Sequence, residues 1–334
     1  MKNNFQPKTQ MTNEEICQKY NNGRRIIDFV GHKKIFFGIS LAIIAIGIIC
    51  NIIFGVALDI QFSGGTTLKF SYSGQIDQNE LYQFIQDKTT DRISTSFSTD
   101  IMGNSGNNVS VQFSGNDAMS TDIQQSLEAD LQKEYPDNNF KCLESNSIDA
   151  SMGFNFLMKC LTAVAIACIL MVLYVTVRFK KIGGLSAGFT ALAALFHDVA
   201  MIYFLYVIFR IPIDSNFIAV VLMILGYSLN DTIVIYDRVR EERRILGRKT
   251  DVATIFNLSC TKSLKRTIMT SVTTLSAIVI VYIVALFFNI ASVQSFALPM
   301  IIGLISGCYS SICIAGPLWV MWQNHKKAKK SAKK

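Results

Sequence analysis

Six long apolar runs restrict this chain more than any other feature. They cover roughly residues 35–57, 156–177, 184–209, 214–236, 267–288 and 296–322. A hydrocarbon core about 30 Å thick takes about 20 mostly apolar residues to cross as a helix. Each run is long enough. Inside a bilayer, backbone N–H and C=O groups find no water, so each run must satisfy them within its own helix. The chain therefore reads as a polytopic α-helical membrane protein with six transmembrane helices. The first run follows 34 residues of polar character, and no small-residue cleavage site comes after it, so it reads as a span and not as a signal peptide.

The charges orient the spans. Of 32 Lys/Arg, residues 1–34 hold seven, 178–182 three, 238–266 nine, and the tail after Trp322 six. Residues 59–154 reverse the balance, with five Lys/Arg against fourteen Asp/Glu. Short basic loops remain on the cytoplasmic side. Both termini inside satisfies every loop, and the opposite orientation violates every loop. The net charge of +8 is thus a topology signal and not a nucleic-acid footprint. The expected divisions are a cytoplasmic segment 1–34, a first span 35–57, an exterior domain 58–155, a bundle 156–322 with a cytoplasmic loop 238–266, and a basic cytoplasmic tail 323–334. That tail is suited to anionic lipid heads. Eight scattered cysteines form no CxxC and no metal-ligand spacing, and only Cys142 falls in the exterior segment. No metal, cofactor or internal disulfide is expected there.

The exterior segment carries a legible order of patterns. Thr66–Ser73 alternates as a strand. Asp77–Lys88 opens with Asp77 and Glu80 at capping-box spacing and sets Leu81, Phe84 and Ile85 on one helical face. Arg92–Ser98 reads as a strand, Gly103–Asn107 as a turn, and Val109–Phe113 as another strand. Asp117–Tyr135 reads as a helix with Ile123, Leu127 and Leu131 in register, followed by a last strand at Phe140–Glu144. The sum is βαββαβ, a small ferredoxin-like α/β domain between helices 1 and 2.

Ionisable residues inside spans are rare, costing about 2.5–3.5 kcal/mol each at mid-helix. Span 3 carries His197 and Asp198, and span 4 carries Asn230 and Asp231. Arg266 stands at the mouth of span 5, at a depth from which it is expected to reach Asp231. Thr270, Thr273 and Thr274 continue the face of Arg266, giving a polar stripe of the kind a proton path requires. Asp198 shares its helix face with Ala187, Ala191 and Ala194, which permit close approach. Gly226 and the GxxxG pair Gly303 and Gly307 are expected at helix contacts. Each of these polar groups also has a static reading: an Asp231–Arg266 ion pair locking two helices, or a His197–Asp198 hydrogen-bonded pair.

At this point several stretches resemble the SecF branch of the SecD/SecF family, bacterial protein-export membrane subunits of the resistance–nodulation–division (RND) superfamily. They are DIQFSGGT (59–66), YVTVRF (174–179), LFHDV (195–199), GYSLNDTIVIYDRVRE (226–241), SLKRTIMTSVTTL (263–275) and FALPMIIGLISGCYSSICIAGPLW (296–319). The resemblance spans about residues 20–322. It implies half of an RND-type bundle, completed by the six spans of SecD. It implies association with the SecYEG translocon and YajC, indirect work with SecA, and an unfolded exported polypeptide as substrate, drawn across the bacterial cytoplasmic membrane by the proton-motive force. Carried over by residue, the family's proton-path aspartate falls on Asp231, its arginine on Arg266, and the Asp of LFHDV on Asp198. Two departures stand out. Ile60 and Gln61 intervene between Asp59 and Phe62, and IDASMGFNF lacks the proline the family often carries before span 2.

Other classes fit less well. An aspartyl intramembrane protease needs GxGD on span 5, which has none. Drug efflux within the superfamily normally takes both halves in one long chain. A passive assembly subunit remains, and it requires Asp231 and Arg266 to be dispensable.

Overall fold

The computed structural model describes residues 25–88, 92–99, 107–114, 119–247, 250–288 and 290–332. In chain order the elements are α1 (Lys33–Phe54), the short α2 (Ile60–Ser63), β1 (Gly65–Tyr72), α3 (Gln78–Lys88), β2 (Arg92–Thr99), β3 (Asn107–Ser114), α4 (Thr121–Glu134), β4 (Lys141–Ile148), α5 (Ala150–Arg178), α6 (Gly184–Ile208), α7 (Ser215–Leu246), α8 (Val252–Phe287), α9 (Ala291–Ser310) and α10 (Gly316–Ser331). A π-helical turn, Ser311–Ala315, joins the last two into one rod. Among the described residues, six helices are long and apolar enough to cross a membrane, namely α1, α5, α6, α7, α8 and the α9–α10 rod. They are spans 1 to 6.

Local sequence starts these helices. Asp149, Asp214 and Asp251 are the N-caps of spans 2, 4 and 5, accepting from the backbone N–H of Ser151, Phe217 and Ala253. Gly183 takes φ +102, a left-handed conformation suited to glycine, and turns the chain into span 3. The loop expected over 238–266 is far shorter. Span 4 continues to Leu246 and span 5 begins at Val252, so basic residues ride on helix. Pairs at i,i+3 and i,i+4, Arg240–Asp237, Arg238–Glu241 and Arg238–Glu242, support that extension.

Spans 3, 4 and 6 form the inner layer, while spans 1, 2 and 5 expose most of their surface. Small residues explain the difference. Ser186, Ala187, Thr190, Ala191 and Ala194 of span 3 are all buried, which lets neighbouring backbones close in. Span 6 contains Pro299, which has no N–H for the Ser295 carbonyl one turn back. The Tyr206 hydroxyl of span 3 donates to that carbonyl at 3.3 Å. This contact therefore satisfies the exposed acceptor and ties two inner spans together.

Between spans 1 and 2 lies a four-stranded antiparallel sheet in the order β2–β3–β1–β4. Alternation places Leu68, Phe70 and Tyr72 on the buried face of β1, with Val109, Val111 and Phe113 beside them on β3. Leu81 and Ile85 of α3 and Leu127 and Leu131 of α4 close the core. Asp77 accepts from Asn79 N and Glu80 N, as the cap spacing predicts. Ile123, expected to join Leu127 and Leu131 in the core, lies in the first turn of α4 and is 52% exposed, outside that cluster. Residues 1–24, residues 103–106 of the expected turn and residues 117–118 at the expected start of the second helix lie outside the described residues.

The domain is fastened to one end of the bundle. Leu58 pairs with Ile213 in a parallel bridge, and Asp59 accepts from Gln112 Nε2 at 2.7 Å. Ile60 and Gln61, the inserted pair, sit in the single helical turn of α2, and Gln61 accepts from Ser215 N. Gly153 lies where a side chain would press on the Phe62–Gly64 backbone. The start of span 2 is therefore packed closely without a proline.

Cys142 on β4 offers a check of this domain. Partial burial and the Glu128 carboxylate hold its thiol above the usual cysteine range. A variant retaining only Cys142 should react with iodoacetamide at pH 8 several-fold more slowly than the denatured chain. Glu128→Gln should speed the reaction; equal rates in all three samples would contradict this environment.

Candidate functional site: buried acids of the inner spans

Asp198 is fully buried at the meeting of spans 3, 4 and 6. Its Oδ2 accepts from Ser228 Oγ and Ser310 Oγ, both at 2.7 Å, and its Oδ1 from Ser306 Oγ at 2.7 Å. His197 Nδ1 lies 3.4 Å from the same Oδ1, and its buried Nε2 has no hydrogen-bond partner among the described residues. A second layer follows. Ser311 donates to the Ser228 carbonyl at 3.1 Å, and Thr232 donates to Ser311 Oγ at 3.0 Å. The π-helical turn makes this possible. It inserts an extra residue into the helical phase, and adjacent Ser310 and Ser311 reach Asp198 of span 3 and the Ser228 carbonyl of span 4.

Asp231, one turn further along span 4, is in a different state. It is 1% exposed, and the described contact to its carboxylate is Ser271 Oγ of span 5 at 3.5 Å. Among the described ion pairs none reaches it. Arg266 lies exposed on span 5, so the expected Asp231–Arg266 contact is not made in this arrangement. Thr270 and Thr273 are exposed and Thr274 half-buried, and all three donate to carbonyls of their own helix. Their hydroxyls are thus locally satisfied rather than aimed at Asp231. Asn230 is exposed on the outer face of span 4.

The glycines divide. A Cβ on Gly303 would lie 2.6 Å from Ile224 Cγ1, and one on Gly307 would lie 3.1 Å from Ser228 Cβ. These two bring span 6 against span 4 and set the reach of Ser306 and Ser310. Gly226 has no such neighbour: a Cβ there meets nothing within 4 Å, and the residue is exposed. Its expected role in helix packing is not seen within this chain, because it shares the outward face with Asn230, four residues on.

Sequence reading missed Ser228, Ser306, Ser310, Ser311 and Ser271. A signal existed in the i,i+4 pairs Ser228–Thr232 and Ser306–Ser310 within otherwise apolar runs. Serine is common in spans, however, and only the crossing of three helices turns these residues toward one carboxylate.

A six-span bundle with buried acids at the contacts of its inner helices, and an α/β insertion after span 1, defines a polytopic helical membrane protein. The chain belongs to the SecD/SecF family: residues 128–325 match the family model described as protein export membrane protein SecD/SecF, C-terminal. The protein translocase subunit SecF of Borreliella burgdorferi is 33% identical over 301 residues, covering 88% of this chain and 97% of that one. The protein translocase subunit SecDF of Bacillus subtilis is 30% identical over 308 residues, covering 91% of this chain but 39% of that longer protein. The crystal structure of SecDF, a translocon-associated membrane protein from Thermus thermophilus, superimposes with a TM-score of 0.74 at 26% identity, covering 93% of this chain and 41% of that one. The chain thus spans nearly the whole of a separate SecF and about two fifths of a fused SecDF.

Proposed function

We propose that this chain is the SecF half of a proton-driven protein-export device in the bacterial cytoplasmic membrane, with both termini inside and the ferredoxin-like domain outside. The observation that carries the reading is the contrast between two buried acids. Asp198 is fixed by three serine hydroxyls, whereas Asp231 has one long hydrogen bond and no described ion pair. Asp231 is the group left free to exchange a proton, and Arg266 meets it in an alternate arrangement of spans 4 and 5. Each proton crossing 100 mV supplies about 2.3 kcal/mol, enough to bias two packings of similar energy. Asp198, with His197, supports the inner helices.

The outward face supports a partner. Gly226 and Asn230 of span 4 and Arg266 and Thr270 of span 5 are exposed, and an amide or guanidinium facing lipid is costly. Six further spans from SecD cover this face, as the longer SecDF relatives suggest. The assembly works beside SecYEG and YajC, after SecA has driven insertion. A cleft of about 700 Å³ between the α/β domain and the ends of spans 1 and 3 is lined by Tyr82, Thr95, Gln112 and Arg210, among others. It offers an emerging polypeptide a surface that moves with the bundle.

The test is Asp231→Asn in cells that depend on this chain for export. The variant should accumulate and co-purify with SecD, while precursor export falls to the level of cells lacking the chain. A passive assembly subunit is the second reading, favoured by the static Asp198 network. It predicts normal export in both Asp231→Asn and Arg266→Lys, and that result would remove the proton-coupled reading.

A further inference from the structure

Below Asp231, toward the basic end of the bundle, the seam between α7 and α8 buries a second acid. Glu242 is 0% exposed. Its Oε1 is shared by Lys262 Nζ at 2.7 Å and an Arg238 guanidinium nitrogen at 2.9 Å. Its Oε2 is buried and, among the described residues, has no hydrogen-bond partner, and the same holds for Arg238 Nε and Thr267 Oγ1. A buried polar atom left unpaired costs about 1–3 kcal/mol. Three on one helix seam call for a shared explanation.

The register of the two helices places them in line. Ser271 meets Asp231, and Lys262 meets Glu242. Thr267 lies one turn from Ser271, and Arg238 one turn from Glu242, so both fall between the two bonded levels. Asp231, Arg238 and Glu242 follow i, i+7, i+11 spacing along one face of α7. Eleven residues of helix separate the two acids by about 16 Å. The neighbouring charges point elsewhere: Asp237 pairs with Arg178 and Arg240, and Glu241 is exposed beside Arg238. Lys265 and Arg266 of α8 are exposed.

We propose that this seam is a water-threaded exit for the proton carried by Asp231, and that Glu242 is its last protein acceptor before the cytoplasm. Protonated Asp231 gives its proton to water held at Thr267 Oγ1. The proton passes along water to Glu242 Oε2 and leaves that oxygen for cytoplasmic water. Asp231 is left as a carboxylate, Glu242 returns to its two cations, and only O–H bonds are made and broken. Arg238 and Lys262 hold Glu242 through Oε1 and leave Oε2 open to water. Internal water typically resides at buried polar groups that protein partners leave unsatisfied, and the seam holds three such atoms.

The proposal rests on the reading of Asp231 as proton carrier, and its test separates the two. The complex with SecD, reconstituted in liposomes enclosing a pH-sensitive dye, reports proton flux after an external acid step. Thr267→Val keeps the side-chain shape and removes an unpaired hydroxyl. A purely structural role predicts unchanged flux and equal or greater stability. The exit role predicts a fall of about tenfold or more for Thr267→Val and Glu242→Gln, with partial recovery in Glu242→Asp. Normal flux in Asp231→Asn overturns the carrier beneath the proposal. Loss in Asp231→Asn with normal flux in Thr267→Val overturns the exit alone. Where Glu242→Gln fails to assemble with SecD on size exclusion, Thr267→Val decides by itself.

Discussion

Replacing Ser228, Ser306 and Ser310 together by alanine should lower the stability of the detergent-solubilised protein by about 3–6 kcal/mol, since each lost donor leaves a buried carboxyl oxygen short of a partner at about 1–3 kcal/mol. The variant leaves Asp198 fully buried, with His197 at 3.4 Å as its remaining described side-chain contact. The diagnostic result is the rescue. In the parent, Asp198→Leu removes the acceptor for three hydroxyls and should destabilise, although serines that turn back to their own helix carbonyls soften the cost. In the triple-alanine background the same change removes a buried carboxyl group left without its hydroxyl donors and should stabilise. Unfolding followed by loss of the monodisperse peak on heating gives the ordering. A triple variant as stable as the parent, or an Asp198→Leu effect of the same sign in both backgrounds, would refute the hydroxyl cage.

Gly316→Leu should be among the most damaging single changes in the bundle. A side chain at 316 runs into the ring of Phe256, which is itself 0% exposed and held in the core of spans 4, 5 and 6. A rigid buried ring cannot yield as a flexible chain end does, and overpacking of this kind costs about 1–3 kcal/mol or more. Phe256→Ala alone should cost about 3–5 kcal/mol through the cavity it leaves. The double variant lets the new leucine occupy that space, so its loss should be smaller than the sum of the singles by about 1–3 kcal/mol. Simple additivity would show that the two residues do not touch.

Position along the chain is a poor guide to which polar residues matter here. Arg266 and the threonines after it formed the most visible polar stripe in the sequence. They lie largely on the outside of span 5, with the hydroxyls bonded to their own helix. Helical spacing fixes which residues share a face but not which neighbour, if any, that face meets. The serines around Asp198 carried only a weak signal, i,i+4 pairs of a residue common in spans, and gain a role only where three helices cross. Glu242 was hidden for a related reason. It belongs to a charged stretch that reads as a solvated loop, and only the continuation of α7 and α8 past the expected boundaries buries it.

The amino-acid sequence alone determined the number of spans, the order βαββαβ of the inserted domain and the two acids at Asp198 and Asp231. Those follow from chain-local physics: apolar length against membrane thickness, the two side-chain periods, and the cost of a charge in hydrocarbon. Tertiary structure alone decided that Asp198 is caged while Asp231 is nearly free, that Gly303 and Gly307 pack while Gly226 faces outward, and that a third buried acid lies below. Those outcomes depend on how helices distant in sequence are rotated against one another. That rotation is set by many small packing contacts whose sum no single stretch of sequence contains.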